Sequence, residues 1–138
     1  MFERIMVPVD LTHAERLEKA LLCAADLAAH YGATVIYVGV TTEQPSAIAH
    51  TPKEYAEKLS AFAADQAALR GISTEAKAYA SHDPSIDLDP TLLKAVGEVN
   101  ADLVVMASHI PNVIDHIWPS NGGKLAQHAK CSVMVVCA

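Results

Sequence analysis

Two short polar segments of the sequence have side chains suited to binding a ligand, and the first directly follows an apolar run. Asp10-Leu11-Thr12 places a carboxylate and a hydroxyl immediately behind the run RIMVPV. The carboxylate of Asp10 can accept hydrogen bonds from a ribose or a base. It can equally cap the N-terminus of a following helix together with Thr12. The sequence leaves both roles open.

The second segment is Ser120-Asn121-Gly122-Gly123-Lys124, which stands at the predicted start of a helix. Free N–H groups at such a position can bind a phosphate, although an ordinary helix start has the same composition. Gly-Gly-Lys is also the end of a P-loop. However, Trp118 occupies the position where a P-loop requires its first glycine, so a P-loop is excluded.

Histidines and carboxylates cluster in two other loops. One loop contains His109, Asp115 and His116, and the other contains His82, Asp83, Asp87 and Asp89. Neither cluster has the spacing of a zinc finger or of a helical zinc motif, so we expect solvated loop residues and no metal site. The adjacent Ser108 and His109 lack a Gly-x-Ser-x-Gly motif. Hydrolytic catalysis is therefore not expected from this pair.

The overall composition predicts one globular domain over residues 1–138. Hydrophobic residues make up 51% and charged residues 19%, which provides a core and argues against disorder. The formal net charge of -6 disfavours nucleic acid and acidic membranes as partners. The N-terminus resembles neither a signal peptide nor a membrane span, and the three cysteines have no metal-binding spacing, so we expect a cytoplasmic protein with reduced thiols.

Apolar periodicity predicts five strands that alternate with four helices. The strands are expected at 4–9, 33–41, 72–79, 102–108 and 132–136, with the third partly exposed and the fourth and fifth buried. The helices are expected at 13–31, at 52–70 between a Thr51 cap and Gly71, from the Asp89-Pro90 cap to about 99, and from a cap at Ser120 or Asn121 to about 128. The second helix should bury one face, composed of Tyr55, Leu59, Phe62, Ala63, Gln66 and Leu69.

This alternation predicts a Rossmann-like α/β fold with an open, twisted, parallel five-stranded sheet and helices on both faces. If the chain winds one way from strand 1 to strand 3 and the other way from strand 4, the strand order is 3-2-1-4-5. Ligands of such sheets bind beyond the carboxyl ends of the strands where the winding reverses. The loops after strands 1 and 4 should therefore form the binding crevice.

Four segments together resemble the universal stress protein family, of the universal stress protein A type. They are VPVD at the start, the strand that ends at Val40, DLVVMASH with the downstream Ser120, and HAKCSVMVV at the end. The resemblance spans nearly the whole chain and implies an adenine-nucleotide alpha-hydrolase-like fold. It further implies a non-enzymatic regulatory dimer that binds ATP or AMP, with Mg²⁺ if the ligand is ATP.

The phosphate-binding pattern of the family is altered in this sequence. Nucleotide-binding members carry Gly-x-x-Gly, about nine residues, and then Gly followed by Ser or Thr, whereas this chain has Ala107, Ile110 and Pro119 at the glycine positions. Ser120 alone matches directly, and Pro119 lacks an N–H donor. The nucleotide-binding residues implied by the resemblance are Asp10, Thr12, Val40, Ala107, Ser108, His109, Ile110, Ser120 and Asn121.

The last strand ends the chain with an apolar edge, which a second subunit or a helix would have to cover. The resemblance implies a homodimer through Ser132, Val133, Met134, Val135 and Val136. Trp118 either packs over the last helix or contacts a ligand or partner. If the altered loop abolishes nucleotide binding, the alternative is an interaction subunit that regulates a transporter or an enzyme, with a protein partner that the sequence does not identify.

Overall fold

Five parallel strands form the centre of the fold. A computed structural model of the chain describes residues 1–108 and 121–137, with the backbone alone at 84–89 and 121–124. The strands are β1 (Arg4–Pro8), β2 (Thr34–Thr42), β3 (Ser73–Ser81), β4 (Leu103–Ala107) and β5 (Ser132–Val136). They lie in one sheet in the order β3-β2-β1-β4-β5, which confirms the predicted fold class.

Helical segments connect the strands. They are a 3-10 segment (Leu11–Leu17), α1 (Glu18–Tyr31), α2 (Pro52–Arg70), α3 (Pro84–Glu98) and α4 (Asn121–His128). The Thr51 hydroxyl accepts from the Glu54 N–H at 3.1 Å, so the predicted cap of α2 is confirmed. Gly32 and Gly71 end α1 and α2 with φ of 67° and 66°, a left-handed conformation that favours glycine.

Two predicted helix starts are wrong. The first α-helix begins at Glu18, and a 3-10 segment precedes it that is interrupted at His13, where φ is -124° and ψ is 31°. The third helix begins at Pro84 instead of at Pro90, which lies inside it. The pair Asp83-Pro84 lies six residues before Asp89-Pro90 and carries the same Asp-Pro signal for a helix start. The local signal therefore occurs twice and does not distinguish the two starts.

Each face of the sheet has its own hydrophobic core. One core lies under α1 and α2 and includes Tyr37 and Leu59, while the other lies under α3 and α4 and includes Met6 and Leu92. Tyr37 is fully buried without a hydrogen-bond partner for its hydroxyl among the described residues, and burial raises its pKa to about 12. Coverage on both faces explains the near-continuous apolar runs of the central strands.

The buried face of α2 differs from the predicted one. Leu69 is 71% exposed, whereas Gln66 is 9% exposed and the side chain of Arg70 is 8% exposed. The Arg70 Nε donates to Gln66 Oε1 at 2.6 Å, and its Nη2 donates to Glu18 Oε1 at 2.8 Å. Gln66 is buried as predicted, and helical spacing carries the buried face from it to Arg70, which takes the place predicted for Leu69.

The two edges of the sheet are unlike. At one edge β3 alternates in exposure, in agreement with the predicted partly exposed strand. At the other edge β5 was predicted to be buried, and this is wrong, because Met134 is 39% and Val135 is 43% exposed. An apolar run alone cannot distinguish a strand covered on both faces from one with a free edge.

A carboxylate joins the two central strands at their amino ends. Asp102, just before β4, accepts from the N–H groups of Glu3 and Arg4 at 2.8 and 3.1 Å. The Arg4 Nε in turn donates to the Val99 carbonyl at 2.6 Å, which links β1 to the end of α3. These bonds fasten β1 to β4 at the end opposite to the predicted crevice.

Candidate functional site

The winding of the sheet reverses between β1 and β4, as predicted. β1 pairs with β2 along its whole length, from Arg4 with Thr34 to Pro8 with Val38, but with β4 only at Ile5 with Leu103 and Met6 with Val104. Farther along, the Val9 N–H donates to the Val38 carbonyl at 2.8 Å and the Ser108 N–H to the Val136 carbonyl at 2.9 Å. Each central strand thus bonds to its outer neighbour there, and the paired positions of β1 and β4 end before their carboxyl ends.

Asp10 stands at the tip of β1 with its carboxylate held by the next residues of the chain. Oδ1 accepts from the Thr12 N–H at 3.0 Å, and Oδ2 lies 2.8 Å from His13 Nδ1. The side chain is only 14% exposed. The predicted capping role is therefore confirmed. A carboxylate has about four acceptor positions, so two remain for another donor.

His13 is a residue of this site that the sequence analysis did not single out. The break in the 3-10 segment at His13 turns its imidazole back to Asp10, three residues earlier. The spacing Asp-x-x-His directly after a strand is the signal that could have identified it. The imidazole thus lies against the carboxylate at the tip of a central strand.

Tyr55 is the second residue that sequence reasoning missed. Its ring lies against the backbone of Gly39 so closely that a Cβ there would be 2.9 Å from Cε1, 3.0 Å from Cζ and nearer still to the hydroxyl. Burial, and secondarily the negative charge of Asp10, raise the pKa of Tyr55 above its usual range. The hydroxyl therefore remains protonated, and α2 supplies a neutral donor in the surroundings of Asp10.

The other described site residues lie along the same edge of the sheet. Val40 is half-buried at the carboxyl end of β2, next to the core under α3 and α4. Ala107 is the last residue of β4, paired with Val136, and Ser108 follows it half-buried. Thr12 is exposed, and its N–H is the donor to Asp10. The structure thus brings these residues to the carboxyl ends of β1, β2 and β4.

Part of the predicted phosphate loop falls outside the described residues, and the predictions for it stay predictions. His109, Ile110, Trp118 and Ser120 belong to this part. Asn121 is the first residue of α4, although its side chain is not described. A helix that begins directly after the loop directs its first N–H groups toward that loop, as an anion site requires.

Neither a metal cluster nor a membrane span is found in the part of the chain that the structure describes. Within residues 1–108 and 121–137, no three or more His, Cys, Asp or Glu side chains are grouped to hold a metal ion. His82, which the sequence placed in one of the polar clusters, pairs with the exposed Glu43 at 3.1 Å. No helix among these residues is long and apolar enough to cross a membrane.

Five parallel strands in the order 3-2-1-4-5, with the winding reversed between β1 and β4, define a doubly wound α/β fold of the Rossmann-like class. The sequence model of the universal stress protein family matches residues 1–136. The chain therefore belongs to the universal stress protein family.

Solved structures with this fold include three instructive relatives. A universal stress family protein from Burkholderia pseudomallei has 23% identity and a TM-score of 0.70, over 99% of this chain and 96% of its own. A protein from Archaeoglobus fulgidus in complex with dAMP has 19% identity and a TM-score of 0.66, over 96% of both chains. One from Arabidopsis thaliana with bound AMP has 14% identity and a TM-score of 0.66, over 98% of this chain and 91% of its own.

Proposed function

We propose that this chain is a cytoplasmic regulatory module that binds an adenine nucleotide, AMP or ATP, in the crevice between β1 and β4. The observation that carries the proposal is the placement of Asp10. Its carboxylate is fixed at the tip of β1, where the winding reverses, and two acceptor positions remain for ribose hydroxyls. The named complexes of related proteins with dAMP and AMP support the same ligand class.

In this proposal the base lies at Val40, the ribose at Asp10 and the phosphates at the loop between β4 and α4. Ala107, Ile110 and Pro119 replace glycines of the family pattern, and Pro119 cannot donate a backbone N–H. Fewer donors therefore face the phosphates, and we expect the second and third phosphates of ATP to add little affinity over AMP. The module is not an enzyme in this proposal, because its sequence offers no recognisable group to position an attacking water.

Isothermal titration with AMP and ATP, with and without Mg²⁺, tests the proposal. Heat of binding that saturates with either nucleotide supports it. If neither ligand produces heat at millimolar concentration, the crevice does not bind nucleotide, and the interaction-subunit alternative takes its place.

Asp10→Asn is expected to weaken nucleotide binding by about 1–1.5 kcal/mol, because a hydrogen bond to a charged acceptor becomes a weaker bond to a neutral amide. Asparagine is as good an N-cap as aspartate, so the fold should be kept. Titration calorimetry measures the affinity, and Asp65→Asn, at an exposed position of α2, serves as the control. Equal affinity of the Asp10 variant and the wild type would remove Asp10 from the site.

We further propose that β5 is the edge through which two copies pair. It presents Met134 and Val135, which are 39% and 43% exposed, on a strand that bonds to β4 on one side. Val135→Glu is expected to shift the protein from dimer to monomer in sedimentation velocity, because two like charges would face each other across the interface. Leu69→Glu, which places a charge at an exposed leucine of α2, should leave the protein a dimer. A wild type that sediments as a monomer at all concentrations contradicts the proposal.

A further inference from the structure

The edge strand β3 has one side without a strand partner. Among the described residues it pairs only with β2, from Ser73 to Ser81. An edge of this kind presents N–H and C=O groups that a strand of another chain can pair with. β3 has nine residues, whereas β5 has five and strands in general have about five or six. β3 is therefore the longer of the two edges of this sheet.

Both faces of β3 are only partly covered. Ala76 and Ala78 lie against the core under α1 and α2, yet both remain half-buried. On the opposite face, Glu75 and Lys77 are exposed. The small side chains of the two alanines add little bulk beside the backbone. A strand of a second molecule can therefore approach the outer side of β3.

The charges on β3 are of opposite sign and flank one residue, because Glu75 and Lys77 stand on either side of Ala76. Arg4 donates from Nη1 and Nη2 to Glu75 Oε2 and Oε1 at 3.1 and 3.0 Å. A carboxylate has about four acceptor positions, so two remain. Lys77 Nζ lies 5.6 Å from the ring centroid of Tyr79, and it forms no ion pair with a carboxylate of the described residues. Both charges are thus able to accept a further partner.

We propose that β3 is a self-association edge, through which two copies of this chain pair in antiparallel orientation about a twofold axis at Ala76. In this register Glu75 of each copy lies opposite Lys77 of the other, on one face of the joined sheet. Opposite charges at facing positions stabilise a pair of strands. An axis at Glu75 or at Lys77 would instead place like charges opposite each other, so the charges select one register.

This charge pattern differs from that of an edge protected against pairing. A lone lysine at the centre of an edge strand meets its own copy and repels it. Adjacent unlike charges attract in the antiparallel register, and the twofold axis repeats each contact. The contact buries little apolar surface, so we expect it to be weaker than pairing through β5 and to form at higher protein concentration. It lies at the opposite edge of the sheet from β5 and goes beyond the proposed function.

Glu75→Lys and Lys77→Glu test the proposal as a mixture. In either variant alone, like charges face each other at both positions, so pairing through β3 should be lost. In an equal mixture, every facing pair between the two variants again has opposite signs. Sedimentation velocity over increasing protein concentration should show species larger than either variant forms alone, with association about tenfold tighter in the mixture. Exchange of subunits through β5 does not change the size of the assembly and cannot imitate this result.

Glu57→Lys and Lys19→Glu are the matched controls, at exposed positions of α2 and α1. They carry the same changes of charge, and all four variants remain net negative, so mixing creates no general attraction. Each control should associate as the wild type does, and mixing them should change nothing. Nucleotide affinity should be unaltered in the β3 variants, because the crevice lies elsewhere. A mixture of Glu75→Lys and Lys77→Glu that sediments as the separate variants do overturns the inference and leaves the proposed function standing.

Val135→Glu provides a measurement that does not depend on the folding of the β3 variants. With pairing through β5 blocked, this protein should still associate as its concentration is raised to about 1 mM. The association should weaken between about 50 and about 500 mM NaCl, because exposed ion pairs are screened by salt. A Val135→Glu protein that is monomeric throughout, or whose association does not respond to salt, contradicts pairing through Glu75 and Lys77.

Discussion

Leu59→Ala is expected to lower the free energy of unfolding by about 2–5 kcal/mol, the cost of removing a large apolar side chain from a packed core. Leu59 is fully buried between α2 and the sheet, in the same core as Tyr37. Truncation removes its contacts and leaves a cavity between helix and sheet that the closely packed neighbours fill only in part. Urea denaturation followed by circular dichroism measures the loss.

The same helix provides the control. Leu69, three turns further along α2, is 71% exposed, so Leu69→Ala should change stability by no more than about 0.5 kcal/mol. The two variants delete the same atoms from one helix and differ only in burial. Equal losses in both would mean that the buried face of α2 has been assigned incorrectly.

Gly39→Ala is expected to destabilise the protein by about 1–3 kcal/mol, because the added methyl group overlaps a buried ring. The Cβ would lie 2.9 Å from Cε1 of Tyr55, and this ring is 3% exposed. To accommodate it, α2 must shift or Tyr55 must adopt another rotamer. Both changes reach the surroundings of Asp10, so nucleotide affinity should fall together with stability.

Gly97→Ala serves as the control for Gly39→Ala, because the added methyl group meets free space instead of a packed ring. Gly97 lies on the exposed side of α3, and nothing is within 4 Å of the position its Cβ would take. Alanine is favoured over glycine in a helix, so this variant should gain about 0.5–1 kcal/mol. Thermal denaturation of both variants gives the comparison. A Gly39→Ala protein as stable as the wild type would show that the packing of the Tyr55 ring does not require a glycine at position 39.

The elements that could be predicted from the sequence are those with strong local signals. Thr51 with Pro52, and the glycines at 32 and 71, define the ends of α1 and α2 through backbone conformation and capping alone. The central strands are covered on both faces, so their apolar runs are almost uninterrupted. The reversal of winding at β1 does not follow from these signals, because right-handed crossovers are compatible with more than one strand order, and it is the structure that establishes it.

The wrong predictions involve contacts between segments distant in sequence. Arg70 is buried because Glu18 of α1 accepts its hydrogen bond, and no pattern within α2 contains that information. The exposure of β5 depends on what lies beyond the sheet edge. At the site, Asp10 could be predicted from its place behind a strand. Tyr55 could not, since its proximity to the site depends on how closely α2 packs against Gly39.

The pairing of β1 and β4 is uneven along their length. At the amino ends, Asp102 and two paired positions hold the strands together, and the paired positions end at Met6 and Val104. Toward the carboxyl ends the strands are held by packing instead, because Val7 of β1 and Val105 of β4 lie in one buried core and α1 packs against both strands. A ligand at these tips would therefore rest on strands whose positions the helices fix before it arrives.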